Sequence, residues 1–168
     1  GYQVINGVRI KCVAYSRGGH GTINICQSLM ESCNDVLMQL GADLGKRKFL
    51  QYVNEFGFGK KTGIDLPGEA TGGVFTNDTM HAVELATSSF GQGQTVTMIQ
   101  MAAAFSSVIN GGNYYEPHVV KEVKSENGAV LESNDNALVR RVITENTSKK
   151  LRKYLYKTVE EGTALPAK

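Results

Sequence analysis

The sequence has no block of basic residues, no apolar run of about 20 residues and no closely spaced cysteine pair, and each absence excludes a class of function. Its 18 Lys and Arg are nearly matched by 16 Asp and Glu, leaving a net charge of +2. The basic residues are scattered apart from short pairs such as Arg140-Arg141 and Lys149-Lys150. Nucleic acid binding needs a clustered basic footprint, so no nucleic acid partner is expected. Without a membrane-length apolar run the chain reads as soluble, and it opens at Gly1 in a strand-like alternation rather than a signal peptide. Three cysteines, Cys12, Cys26 and Cys33, are an odd number with no C-x-x-C spacing, and they read as free, mostly buried thiols. A zinc site with His20, His81 or His118 would need closely spaced ligand pairs that the sequence lacks, so no metal is expected. Internal repeats and low-complexity tracts are also missing. What remains, 168 residues with 41% hydrophobic and 20% charged, is the composition of one ordinary globular domain.

Local patterns then set out the elements. Asn6-Gly7 between two apolar-alternating runs predicts a hairpin over 2–13, because both residues tolerate the positive φ of a type I′ turn. Ile25, Leu29, Cys33, Val36 and Leu40 recur at helical spacing, and Gly41 and Gly45 are expected to mark the fraying end. Phe49, Tyr52, Val53 and Phe56 predict a second helix stopped by Gly57. Residues 57–79 read as an irregular connector, and Glu84 to Ser89 as a short helix or turn. Thr95 is a candidate N-cap for a helix with Met98, Ala102, Phe105 and Ile109 on its apolar face and Ala103 and Ala104 for close packing elsewhere. A second hairpin is expected over Pro117 to Leu131 around Asn127-Gly128, and a last helix from near Thr144. The fold class is therefore α+β, predominantly helical, with two small β-hairpins.

Ser32-Cys33-Asn34 is the tripeptide with the most chemistry in it. On an unbroken helix, residues two apart point about 200° away from each other, so Ser32 and Asn34 would flank a buried Cys33 without sharing a pocket. In an extended or turn backbone they would lie on one side and Cys33 on the other. Other candidates are weaker. Pro67 and Gly68 between Asp65 and Glu69 deny the helix that would pair those carboxylates. Gly91-Gln92-Gly93 lacks the continuation of a phosphate loop and reads as a loop lining a cleft. His20 reads as structural, and Tyr114 and Tyr115 as packing at a hairpin base.

Five segments in order carry a resemblance. They are Asn6-Gly7-Val8 with His20-Gly21; Ser32-Cys33-Asn34; Phe56-Gly57-Phe58-Gly59 through Thr62-Gly63-Ile64-Asp65-Leu66-Pro67-Gly68-Glu69; Ser89-Phe90-Gly91-Gln92-Gly93 with Val96-Thr97 and Gln100; and Asn110-Gly111-Gly112. Together they resemble the transpeptidase domain of class B penicillin-binding proteins. The resemblance implies the helical part of the penicillin-binding protein/β-lactamase-like fold, with residues 1–168 a partial domain. That family uses a Ser-x-x-Lys motif for the nucleophile, a Ser-x-Asn motif in the cleft and a Lys-Thr-Gly strand for the substrate carboxylate. Ser32 and Asn34 match the middle motif. The resemblance casts Ser32 as a proton relay between the Lys of the first motif and the amine, and Asn34 as a hydrogen-bonding partner of substrate and Lys.

No Ser in the sequence has a Lys three residues later. Lys61-Thr62-Gly63 spells the third motif but leads into Pro67, which suits neither a central strand nor an active-site edge. It reads as part of the connector. The resemblance implies a parent serine-type DD-transpeptidase that cross-links peptidoglycan stem peptides and is trapped by β-lactams, with these residues alone inactive. A β-lactam sensor domain, a β-lactamase and a non-catalytic wall scaffold of the same fold are the alternatives. Acyl transfer by an activated Ser needs no metal or organic cofactor. The parent is expected on the outer face of the bacterial cytoplasmic membrane, held by an N-terminal segment. Apolar surface on the isolated helical region makes a non-native dimer a further expectation.

Overall fold

The computed structural model describes residues 1–134 and 138–168. Asn6 and Gly7 both take positive φ, 48° and 79°, and close the antiparallel pair β1 (Tyr2–Ile5) and β2 (Val8–Lys11). Six α-helices are described: α1 (Ile25–Met30), α2 (Asn34–Leu44), α3 (Lys46–Glu55), α4 (Ala82–Ser89), α5 (Met98–Ile109) and α6 (Glu145–Glu161). Between α5 and α6 lie β3 (Asn113–Tyr115), β4 (Glu122–Lys124), β5 (Val130–Ser133) and β6 (Leu138–Arg141). β4 pairs with β5 as the expected second hairpin, with a bulge at Val123/Lys124. β3 pairs with β6, a ladder that the sequence reading did not anticipate. Its strands are short and are separated by the β4–β5 hairpin, so no turn residue announces the pairing.

The chain divides into two compact units, one of Gly1–Tyr52, Val74–Gln94 and Lys150–Lys168, the other of Val53–Gly73 and Thr95–Lys149. In the first, Cys12, Ala14 and Cys33 form a small core against which Ile23 and Val36 pack. Met38 and Met80 are also fully enclosed. Gly41 is buried inside α2 rather than at its end, which corrects the expected fraying there. A Cβ at Gly41 would stand 1.8 Å from Ser89 Oγ, so the glycine is what lets α2 and α4 approach.

In the second unit the buried face of α5 is Gln100, Ala104 and Ser107. The stripe expected to be its packed face is turned outward: Met98 is 91% exposed, Phe105 48% and Ile109 38%. Helical periodicity identified the stripe, but burial follows where partners lie, and here small and polar side chains have them. Thr97, not Thr95, caps α5, in a reciprocal box with Gln100. Thr95 is instead bridged to Gly73 through two backbone bonds of 2.8 Å. Ser148, fully buried near the start of α6, donates to Val108 O at 2.7 Å and accepts from Gly111 N at 3.0 Å. Tyr114 is buried beneath the Arg140 guanidinium, 4.0 Å from its ring centroid, as a packing residue should be.

Candidate active site

The helix predicted through residues 25–40 breaks at the tripeptide of interest. Asn24 opens α1 with a capping box to Gln27. After Met30 the chain closes with two bonds: Ser32 N–H donates to Leu29 O at 3.2 Å and Cys33 N–H to Ser28 O at 2.8 Å. This is a Schellman termination, whose residue after the cap must be left-handed. That residue is Ser32, at φ 48°. Cys33 is extended (φ −75°, ψ 100°) and becomes the N-cap position of α2, with Asn34 as the first helical residue. The continuous-helix geometry that would separate Ser32 from Asn34 by about 200° therefore does not apply. Ser32 is exposed, Cys33 is 3% exposed and Asn34 half-buried, the alternation of a non-helical link.

The same termination recurs at three other helix ends with a different residue in the left-handed place. After α3 it is Gly57 (φ 83°), with Phe58 N–H donating to Val53 O. After α4 it is Gly91 (φ 89°), with Gln92 N–H donating to Thr87 O. After α5 it is Gly111 (φ 99°), with Gly112 N–H donating to Ser107 O, while Gly111 N–H goes to Ser148 Oγ in place of the second bond. Glycine is the low-cost occupant; a residue with a Cβ costs roughly 1 kcal/mol or more there. Ser32 bears that strain, and among the described residues its hydroxyl has no hydrogen-bond partner. Backbone positions strained in this way cluster at functional sites.

Asn34 is anchored, its Nδ2 donating to Lys11 O at 3.3 Å, so the end of β2 holds the start of α2. Gly91-Gln92-Gly93, all exposed, form the turn that ends α4, and hydrogen bonds among the described residues do not tie them to Ser32 or Asn34. His20, Cys12 and Cys33 come together beneath the turn. His20 Nδ1 lies 3.6 Å from Cys12 Sγ, which lies 3.9 Å from Cys33 Sγ, and His20 Nε2 is 3.9 Å from Glu31 Oε2. Burial pushes the Cys12 thiol up, but hydrogen bonds from the backbone at Ala14 and Asn34 and from Cys33 outweigh it, and the thiol sits below its ordinary value. Burial keeps the Cys33 thiol above its own.

Lys61-Thr62-Gly63 lies in the irregular connector, not on a strand, as its sequence context implied. Thr62 donates twice to Glu69 Oε1, from N and Oγ1 at 2.6 Å each, and Gly63 N–H donates to Oε2 at 3.2 Å. Asp65 takes its two bonds elsewhere, from Val119 N–H and Val120 N–H at 2.8 Å each. Glu69 is thus a local loop clamp, whereas Asp65 ties the connector to the segment before β4. The Thr62 hydroxyl and N–H hold Glu69 below its ordinary value, and the Val120 and Val119 N–H groups do so for Asp65. A depressed carboxyl contributes stability that is complete above its unfolded value, 3.8 for Asp and 4.5 for Glu, and is lost as pH falls through the lower folded value. Thermal unfolding midpoints should therefore drop on acidification below about pH 4.5, with a shallower drop in Glu69→Gln. Identical pH profiles for the two proteins would remove the clamp.

The sequence reading passed over the clamp by Glu69 and the role of buried Gln100, whose Nε2 donates to Lys60 O at 2.6 Å and Thr71 O at 2.9 Å. Gln100 stood among the resembling segments, but nothing in its neighbours says that it would be enclosed.

The arrangement of helices and small sheets is that of a known class. The chain superposes on penicillin binding protein 3 of Mycobacterium tuberculosis, solved with aztreonam, with a TM-score of 0.86 at 24% identity, covering 98% of this chain and 36% of that one. A D,D-transpeptidase domain from Eggerthella lenta gives 0.86 at 23% identity over 100% of this chain and 43% of that one. These likenesses show the fold. A model of the penicillin binding protein transpeptidase domain matches residues 3–168, and the chain belongs to that family. Stage V sporulation protein D of Bacillus subtilis is 42% identical over 164 residues, 97% of this chain and 25% of that protein. Peptidoglycan D,D-transpeptidase MrdA of Acinetobacter baumannii is 27% identical over 97% of the chain and 26% of its own length. The chain thus spans about a quarter of these relatives. No described helix is long and apolar enough to cross a membrane.

Proposed function

We propose that this chain is the Ser-x-Asn part of a serine-type DD-transpeptidase that cross-links peptidoglycan stem peptides, and that its nucleophile lies outside these residues. The observation that carries the reading is Ser32, which occupies a left-handed helix-terminating position filled by glycine at three other helix ends. Ser32 Oγ is free to pass a proton between the Lys of a Ser-x-x-Lys motif and the amine that leaves or attacks. Asn34, fixed to Lys11 O, offers its amide oxygen to that Lys or to the substrate backbone. The turn at Gly91-Gln92-Gly93 lines the same cleft. Relatives named as D,D-transpeptidases and neighbours solved with aztreonam and ampicillin support the substrate class and β-lactam sensitivity. The whole protein works on the outer face of the cytoplasmic membrane.

Intact-mass analysis after incubation with a penicillin tests this. A stoichiometric adduct should form on a Ser outside these 168 residues of the full-length protein, and none on the 168-residue chain alone. An adduct on the 168-residue chain would sink the assignment; no adduct on a folded full-length protein would favour the non-catalytic scaffold. The exposed stripe of α5 supports self-association of the isolated chain. Sedimentation should show concentration-dependent dimerisation, and monomer throughout would exclude it.

A further inference from the structure

Three donors from separate parts of the chain converge beneath the Ser32 turn: Cys12 just after β2, His20 in the following loop and Cys33 between α1 and α2. Cys12 and Cys33 are each 3% exposed and the His20 side chain 10%. Their ligating atoms all lie within 4.8 Å of one another. With metal–sulfur and metal–imidazole bonds of about 2.3 and 2.0–2.1 Å, the edges of a tetrahedron measure roughly 3.8 Å (S to S) and 3.6 Å (S to N). The observed separations are 3.9 Å for Cys12 Sγ to Cys33 Sγ and 3.6 Å for Cys12 Sγ to His20 Nδ1. Two edges of a coordination polyhedron are already set.

The outer surroundings fit as well. With Nδ1 facing the sulfurs, Nε2–H faces Glu31 Oε2 at 3.9 Å. A carboxylate behind a ligating imidazole fixes the tautomer and raises the basicity of the metal-facing nitrogen. Two buried thiols packed for their own sake would need neither the imidazole nor the carboxylate. We propose that Cys12, His20 and Cys33 form a binding site for a thiophilic divalent cation, zinc by choice of donors, with one tetrahedral position left to water. Binding exchanges two thiol protons for the cation; no oxidation is involved. The bound ion would fasten Cys33, the middle of the Ser32-Cys33-Asn34 turn, to the end of β2. The binding itself does not depend on the transpeptidase reading. Ligand spacing in the sequence gave no hint of it, because Cys12 and Cys33 are 21 residues apart and His20 is 8 from Cys12.

Cobalt(II) titration of the purified, reduced, metal-stripped protein tests the site by spectroscopy. One equivalent should produce a thiolate-to-cobalt charge-transfer band and intense tetrahedral visible bands, both erased by zinc. Cys12→Ser, Cys33→Ser and His20→Ala should each lose them, with circular dichroism reporting whether the variant is folded. Cys26→Ser should keep them, and the surface variant Glu31→Gln should bind about 10-fold more weakly. The proposal is overturned by a weak octahedral spectrum only, or by bands that survive in Cys33→Ser. It is equally overturned if the reduced wild-type protein takes up no metal while the unreduced one is two hydrogens lighter, which would identify a disulfide.

Discussion

Ser32→Ala in the full-length protein should slow penicillin acylation by about 100-fold while leaving the adduct at the same nucleophile, because a positioned proton relay contributes on that order. Ser32→Gly should slow acylation equally, since it also lacks the hydroxyl, but should differ in stability. Alanine retains the strain of a Cβ at φ 48°, whereas glycine relieves it. Part of that relief is offset by glycine's larger entropy in the unfolded chain, leaving a net gain of about 0.5–1 kcal/mol. The pair of variants separates the hydroxyl from the backbone. Stopped-flow acylation and thermal unfolding read the two effects independently. Wild-type acylation in Ser32→Gly would end the relay role, and a Ser32→Gly protein less stable than Ser32→Ala would end the strain argument. A stabilised but inactive variant is what a site held in a costly conformation for function should yield.

Gln100→Leu should be the most destabilising single change in the unit of Val53–Gly73 and Thr95–Lys149. Gln100 is fully buried, its amide nitrogen serves two backbone carbonyls of the connector, and its Oε1 accepts from Thr97 N at 2.9 Å. Leucine fills similar space but takes away the bonds to the Lys60 and Thr71 carbonyls and the Thr97 N–H, each costing about 1–3 kcal/mol where water cannot replace it. A loss of about 3–5 kcal/mol is expected, equivalent to a fall in unfolding midpoint on the order of 10 °C. Thr97→Ala removes only the cap and should cost about 1 kcal/mol. Urea unfolding of both proteins checks the ranking. Equal losses would mean that the cross-ties to Lys60 and Thr71 contribute nothing beyond the capping box.

The same residues show how far the sequence could be read. The Asn6-Gly7 hairpin, the stop at Gly57 and the irregular connector were legible because turn chemistry is local: positive φ, missing donors and small side chains act where they stand. The α5 stripe was legible as a periodicity and misleading as a core, since Met98 and Phe105 are exposed and Gln100 is enclosed. Thr95 and Thr97 are equally good caps by composition, and the bridge to Gly73 chooses between them. Lys61-Thr62-Gly63 could be set aside from Pro67 alone, but its use as the ligand of the Glu69 carboxylate could not be foreseen.

The sequence by itself determined the family and the identity of the chemical groups. Ordered short motifs specify a fold that many sequences share, and Ser32 and Asn34 carry their chemistry wherever they are placed. Only the tertiary structure decided that the helix breaks at Ser32, that this residue takes a glycine's conformation, and that Cys12, His20 and Cys33 meet. The break itself is closed by bonds within residues 28–33, while the burial of Cys33 against Cys12 and the tie from Asn34 to Lys11 join segments more than 20 residues apart. Their free energies arise only once the segments have been brought together.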